Sequence, residues 1–90
     1  MGIDILEHGG MCRLLVFYLD SPNGLIRANY RDPPLRLGPR AAERDHHLLF
    51  ENGLIENSNH PTQLRFQLTD KGKQVAIYLK EIEKILQKKN

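Results

Sequence analysis

The hydrophobic period changes at Gly53, and that change decides what the chain can fold into. Before it, Ala42, His46 and Leu49 recur at the spacing of one helix face. After it, Leu64, Phe66 and Leu68 alternate with Arg65, Gln67 and Thr69, the pattern of a half-buried strand. A chain that switches period across a short polar stretch is not a plain helical bundle. It must set a small β-hairpin against its helices.

The flanking residues sharpen each element. Gly38 opens a helix over 39–52, with Pro39 in the first position, where a missing N–H is not needed. Gly53 ends it as a left-handed cap. Leu48 and Phe50 widen its apolar face, while Arg40, Glu43, Arg44 and His47 fall on the other side. Leu54, Ile55 and Glu56 begin the first strand, and residues 57–63 form a polar turn. Thr69 or Asp70 caps a last helix running to about residue 88. Along it Val75, Tyr78, Leu79, Ile82, Ile85 and Leu86 make an apolar stripe.

The first half of the chain is read the same way. Met11, Leu14, Leu15, Phe17, Tyr18 and Leu19 predict a buried helix over 11–20, stopped by Ser21, Pro22, Asn23 and Gly24. Residues 25–31 predict two further helical turns with Leu25, Ile26 and Tyr30 inward. Pro33 and Pro34 close them. Leu35 and Leu37 then anchor a loop on the core.

Ninety residues fit one domain, 1–90, with 11–69 as core and wing and 70–88 as a C-terminal helix. A core of that size leaves little room for a large ligand cavity. The net charge of +2 permits a nucleic-acid partner without demanding one, so charge placement matters more than its sum. Cys12 is the only cysteine, which excludes an internal disulfide and suits a buried structural thiol. No apolar stretch is long enough to span a bilayer. The amino terminus has no basic region or cleavage site of a secretory signal, and Leu6 stands where myristoylation wants a small hydroxyl residue. The expectation is a cytoplasmic protein.

Two segments carry a resemblance. LGPRAAERDHHLLFENGLIE, residues 37–56, is similar to the recognition helix and first wing strand of the prokaryotic regulators of the MarR, ArsR and PadR types. LRFQLTDKGK, residues 64–73, resembles their second wing strand and the L-T-x-K-G-K entry to a final helix. The resemblance covers roughly residues 11–86. It implies a mainly α fold with a small β-hairpin: a winged helix-turn-helix with a three-helix core, a two-stranded wing and a long C-terminal helix. The chain departs from the pattern in three places. Residues 25–34 replace the usual alanine-rich second helix, His46 stands at a usual core leucine, and no lysine or arginine lies between Asn57 and Gln63.

The function the resemblance implies is binding of double-stranded DNA by a dimeric transcriptional regulator. Helix 39–52 would enter the major groove and read base edges near its amino-terminal end. Arg40 and Arg44 are one turn apart and suit guanine; Glu43 suits cytosine or sets register; His47 follows on the same face. Arg27, Arg31 and Arg36 would hold the DNA backbone near the entry, and Arg65, Lys71 and Lys73 would hold phosphates near the base of the wing. The plainer reading makes these solvated charges, with Arg44 and Asp45 a surface ion pair of little energetic worth.

The distal part of the last helix, with Ile82, Ile85 and Leu86, extends past a core this small. It would either pair with its copy in a two-fold homodimer or fold back onto Ile3, Ile5 and Leu6. A competing function is a winged helix that binds another protein within a transcription or replication assembly. Catalysis is not expected, because no nucleophile, base and orienter fall at a recognisable spacing. Metal and cofactor sites are not expected either. His46 and His47 are adjacent and diverge by about 100° on a helix, and His8 and His60 are remote in sequence.

Overall fold

A computed structural model of the chain describes residues 6–7, 10–33, 35–58 and 61–88. Three α-helices and one antiparallel hairpin follow in the order α1 (Met11–Leu19), α2 (Pro39–Glu51), β1 (Ile55–Ser58), β2 (Arg65–Leu68) and α3 (Asp70–Gln87). Met11, Leu14, Leu15 and Tyr18 of α1 are buried, as the helical spacing requires. They meet Leu49, Leu54, Ile55, Phe66, Leu68 and Ala76 in one core, with Phe17, Leu19, Val75 and Leu79 partly buried around it. Ile3 and Ile5 lie outside the described residues.

The hairpin pairs Ile55 with Leu68 and Asn57 with Phe66. Ile55, Phe66 and Leu68 are buried, and Glu56 and Gln67, paired on the other face, are exposed. Their side chains bond at 3.1 Å, a cross-strand contact that helps hold the register. Asn59 and His60, in the expected polar turn, lie outside the described residues.

Residues 25–31 correct the expected two-turn helix. Leu25 exchanges both backbone hydrogen bonds with Phe66, at 2.9 and 2.8 Å, so it sits beside β2 as a single rung of a third strand. What remains is one 3-10 turn, Arg27–Tyr30, closed by Asn29 Oδ1 accepting from Ile26 N at 3.0 Å. Leu25 and Tyr30 are buried as expected. The described residues 31–33 and 35–37 then lead back to α2. Arg13 of α1 donates to Leu35 O at 3.2 Å and Leu37 N to Tyr30 O at 2.9 Å, while Arg36 takes a left-handed φ of 49°.

The junction between α2 and α3 is fastened at three points, beside a capped start of α3. Thr69 Oγ1 caps α3 by accepting from Gly72 N at 3.0 Å, and its hydroxyl donates to Gly53 O at 2.6 Å. Thr69 N donates to Leu54 O at 3.0 Å, and Lys71 Nζ to Asn52 O at 2.9 Å. Gly53 has φ 70°, the cap its position predicts. Gly72 is buried against this turn, and a Cβ there would fall 2.0 Å from Leu54 O. The glycine of the K-G-K motif is therefore a packing requirement of the junction. This architecture, with a hairpin wing between α2 and a long α3, is a winged helix.

Candidate nucleic-acid interface

The inner side of α2 is built by Ala42, Asp45 and Leu49, all buried, with His46 half-buried beside them. His46 stands edge-on to Phe66 with ring centroids 4.4 Å apart. Its Nδ1 lies 2.9 Å from Tyr30 Oη, and Tyr30 meets Tyr18 Oη in turn. The three groups are satisfied as a relay in which Tyr18 donates to Tyr30 and Tyr30 to His46 Nδ1. The relay ties α1, the 3-10 turn and α2 together in place of a full second helix. Burial, and after it Arg27 and His47, holds the His46 pKa down to about 4, so the ring is neutral and can accept. Burial pushes the Tyr30 hydroxyl up to about 12 and raises that of Tyr18 as well.

The outer side of α2 carries Arg40, Glu43, Arg44 and His47, all exposed, as the spacing predicts. Arg40 makes no ion pair among the described residues. Glu43 lies 3.9 Å from Arg27, and His47 Nε2 lies 3.2 Å from Glu51, a further exposed carboxylate on this side. Arg27 and Arg31 line a recess of about 240 Å³ with Pro39, Ala42 and Glu43, beside the amino-terminal end of the helix. Arg27 of the 3-10 turn and Arg31 just after it thus flank the end of α2 from which base edges would be read.

The remaining predicted contacts are more scattered. Arg36 is exposed in the loop before α2. Arg65 is half-buried on β2, and its Nε donates to Gln63 Oε1 at 3.1 Å. Lys71 is engaged with the carboxyl end of α2, where a cation is favourable to the helix dipole. Lys73 is not brought to α2 at all; it lines a cleft with Tyr18, Ser21, Glu56, Gln67 and Asp70.

One residue escaped the sequence reading. Asp45 is 0% exposed, so its contact with Arg44 is not a surface ion pair. The signal was present: Asp45 is three residues after Ala42 and four before Leu49, on the inward face. A carboxylate is rarely placed there, and the adjacent arginine suggested a solvated pair instead.

On α3, Ile82, Ile85 and Leu86 are uncovered, Leu86 to 80%. Tyr78, expected in one apolar stripe with Val75 and Leu79, is 72% exposed. Helix α3 turns Val75, Ala76 and Leu79 to the core, and that face leaves Tyr78 outside. Leu79, Ile82 and Leu86 border an apolar groove of about 440 Å³ against Cys12 and Val16 of α1. Among the described residues no helix is long and apolar enough to cross a membrane.

Among solved structures, the crystal structure of SSV1 F-93 superposes on the chain with a TM-score of 0.63. The match spans 83% of this chain and 88% of that one, at 20% sequence identity. No protein-family model matches the chain, and no curated protein does. At that identity the likeness shows the fold alone, and the fold it shows is the helix, hairpin and helix arrangement described above.

Proposed function

We propose that the chain binds double-stranded DNA through the outer side of α2, as a two-fold dimer joined by α3, and acts as a transcriptional regulator of the MarR, ArsR and PadR kind. The observation that carries this reading is α2 itself. The helix is fastened along its inner side by Ala42, Asp45 and Leu49 and at its carboxyl end by Thr69 and Lys71. So held, it presents Arg40, Arg44 and His47 outward, one helical turn or less apart. A rigid helix with arginines near its amino-terminal end is the geometry that major-groove reading needs.

Titration of a labelled random-sequence duplex at several salt concentrations tests it. The logarithm of the binding constant should fall linearly with the logarithm of salt, by about 0.9 per phosphate neutralised. No binding at low salt rejects the reading. One set of observations favours a protein partner instead. Glu43 and Glu51 share the outer side with the arginines, and nearby Phe50 and Leu64 are 45% and 65% exposed. Under that second reading binding to duplex is absent, and a basic, apolar protein surface is the partner.

A further inference from the structure

Asp45 is a buried charge on the helix that presents the arginines. Its Oδ1 accepts from Arg44 Nε at 3.1 Å, and its Oδ2, beside Gly10 and Leu37, has no hydrogen-bond partner among the described residues. A carboxylate buried with half its acceptors unused is costly. Leucine would fill the same inward position between Ala42 and Leu49 without that cost, so packing does not account for an acid here. The bond to Arg44 does. Arg44 carries five N–H donors, and its side chain remains 49% exposed. With Nε held from within, the donors left for a partner are those on the two terminal nitrogens. Those nitrogens form the end-on fork that meets N7 and O6 of guanine. The carboxylate also settles the side chain before any partner arrives, so less freedom is lost on binding. Arg40 has no such acceptor among the described residues.

We propose that Asp45 is a positioning residue, which holds the Arg44 guanidinium with its terminal fork toward the major groove so that it reads a guanine. This rests on the DNA binding proposed for α2. Asp45 itself touches no DNA.

Two measurements test it. In the DNA-free protein, proton–nitrogen NMR follows the Nε–H groups of the arginines. The Arg44 signal should exchange with water several-fold more slowly than that of Arg40, and Asp45→Asn should narrow the difference. Equal exchange in the unchanged protein overturns the clamp, whatever happens with DNA. The second measurement takes the best duplex selected from random sequences and the same duplex with adenine at the guanine that Arg44→Ala ceases to prefer. Asp45→Asn should lower the guanine preference by about 3- to 10-fold, since a neutral acceptor holds the guanidinium less firmly. It should leave binding to an unrelated duplex within about 2-fold, and have no further effect once Arg44→Ala is present. A selected site in which no guanine depends on Arg44 overturns the proposal. So does an equal loss on every duplex, or an undiminished loss in the Arg44→Ala background. Absence of binding to any duplex at low salt removes the DNA reading and this one together, and the Nε exchange then reports on the clamp alone.

Discussion

His46 occupies a position where the resembled pattern places a leucine, and it fills that position with a ring that must stay neutral. Its pKa is about 4 in the folded chain against an ordinary 6.5. Between those values the unfolded chain binds more protons than the folded one. Stability is therefore complete above pH 6.5 and is lost as pH falls toward 4. The ring keeps some solvent contact, which screens the penalty, so the loss is about 1–2 kcal/mol rather than the full value of the shift. Urea unfolding near neutral pH and near the folded pKa, for the unchanged chain and for His46→Gln, measures it. The unchanged chain should lose that much more on acidification, and parallel losses would remove His46 as the cause. Gly72 makes a prediction of opposite kind. Gly72→Ala sets a methyl group against Leu54 O and must push α3 off the junction, at a cost of about 2–3 kcal/mol. Its thermal midpoint should drop by several degrees, and an unchanged midpoint would mean that the junction is looser than its hydrogen bonds imply.

At the scale of elements, what the sequence made legible was what periodicity can carry. Helix α2, the hairpin and α3 each repeat an apolar pattern over several turns or rungs, and Gly53 and Thr69 mark their ends. The segment at 25–31 failed as a helix because Leu25 is claimed by Phe66, a backbone pairing that leaves no trace in local spacing. The interface divides in the same way. The exposure of Arg40, Arg44 and His47 was legible because an exposed helix face is a matter of spacing alone. Lys71, expected to hold phosphate, donates to the carbonyl of Asn52, a partner near it only in the folded chain and so invisible to local spacing. The α2 reading yields a direct test. The double change Arg40→Ala and Arg44→Ala should leave the chain folded and helical, but the loss of Arg44 strips the buried Asp45 carboxylate of its donor and should lower the thermal midpoint. Sequence preference should fall by about 1–3 kcal/mol for each guanine read, and more than affinity for random duplex does. Equal loss on all sequences would assign both arginines to phosphate.

At the scale of the whole molecule, α3 is longer than the core beneath it. Its 18 residues extend about 27 Å, and Val75, Ala76 and Leu79, none beyond its tenth residue, make its core contacts. Beyond Leu79 the helix keeps Ile82, Ile85 and Leu86 in contact with water, beside the apolar groove along α1. A stripe of this kind can be self-complementary: a two-fold axis near residue 84 would lay each copy's Ile82 against the other's Leu86, with Ile85 between them. For the proposed pair to bind duplex, its two α2 helices must lie on one face about 34 Å apart, the spacing of successive major grooves. Dimerisation and DNA affinity are then coupled through effective concentration. The second α2 binds as if tethered, which is worth about 10²- to 10⁴-fold on a site with two half-sites and nothing on a single half-site. Ile82→Lys with Ile85→Lys places charges on the stripe but touches no buried residue, so circular dichroism should still show a folded helical chain. Sedimentation should show the mass halved from dimer to monomer. Affinity for the paired site should fall toward that for the half-site, while half-site affinity stays the same. An unchanged mass would return the stripe to the chain's own amino-terminal residues, and the paired-site advantage would then need another origin.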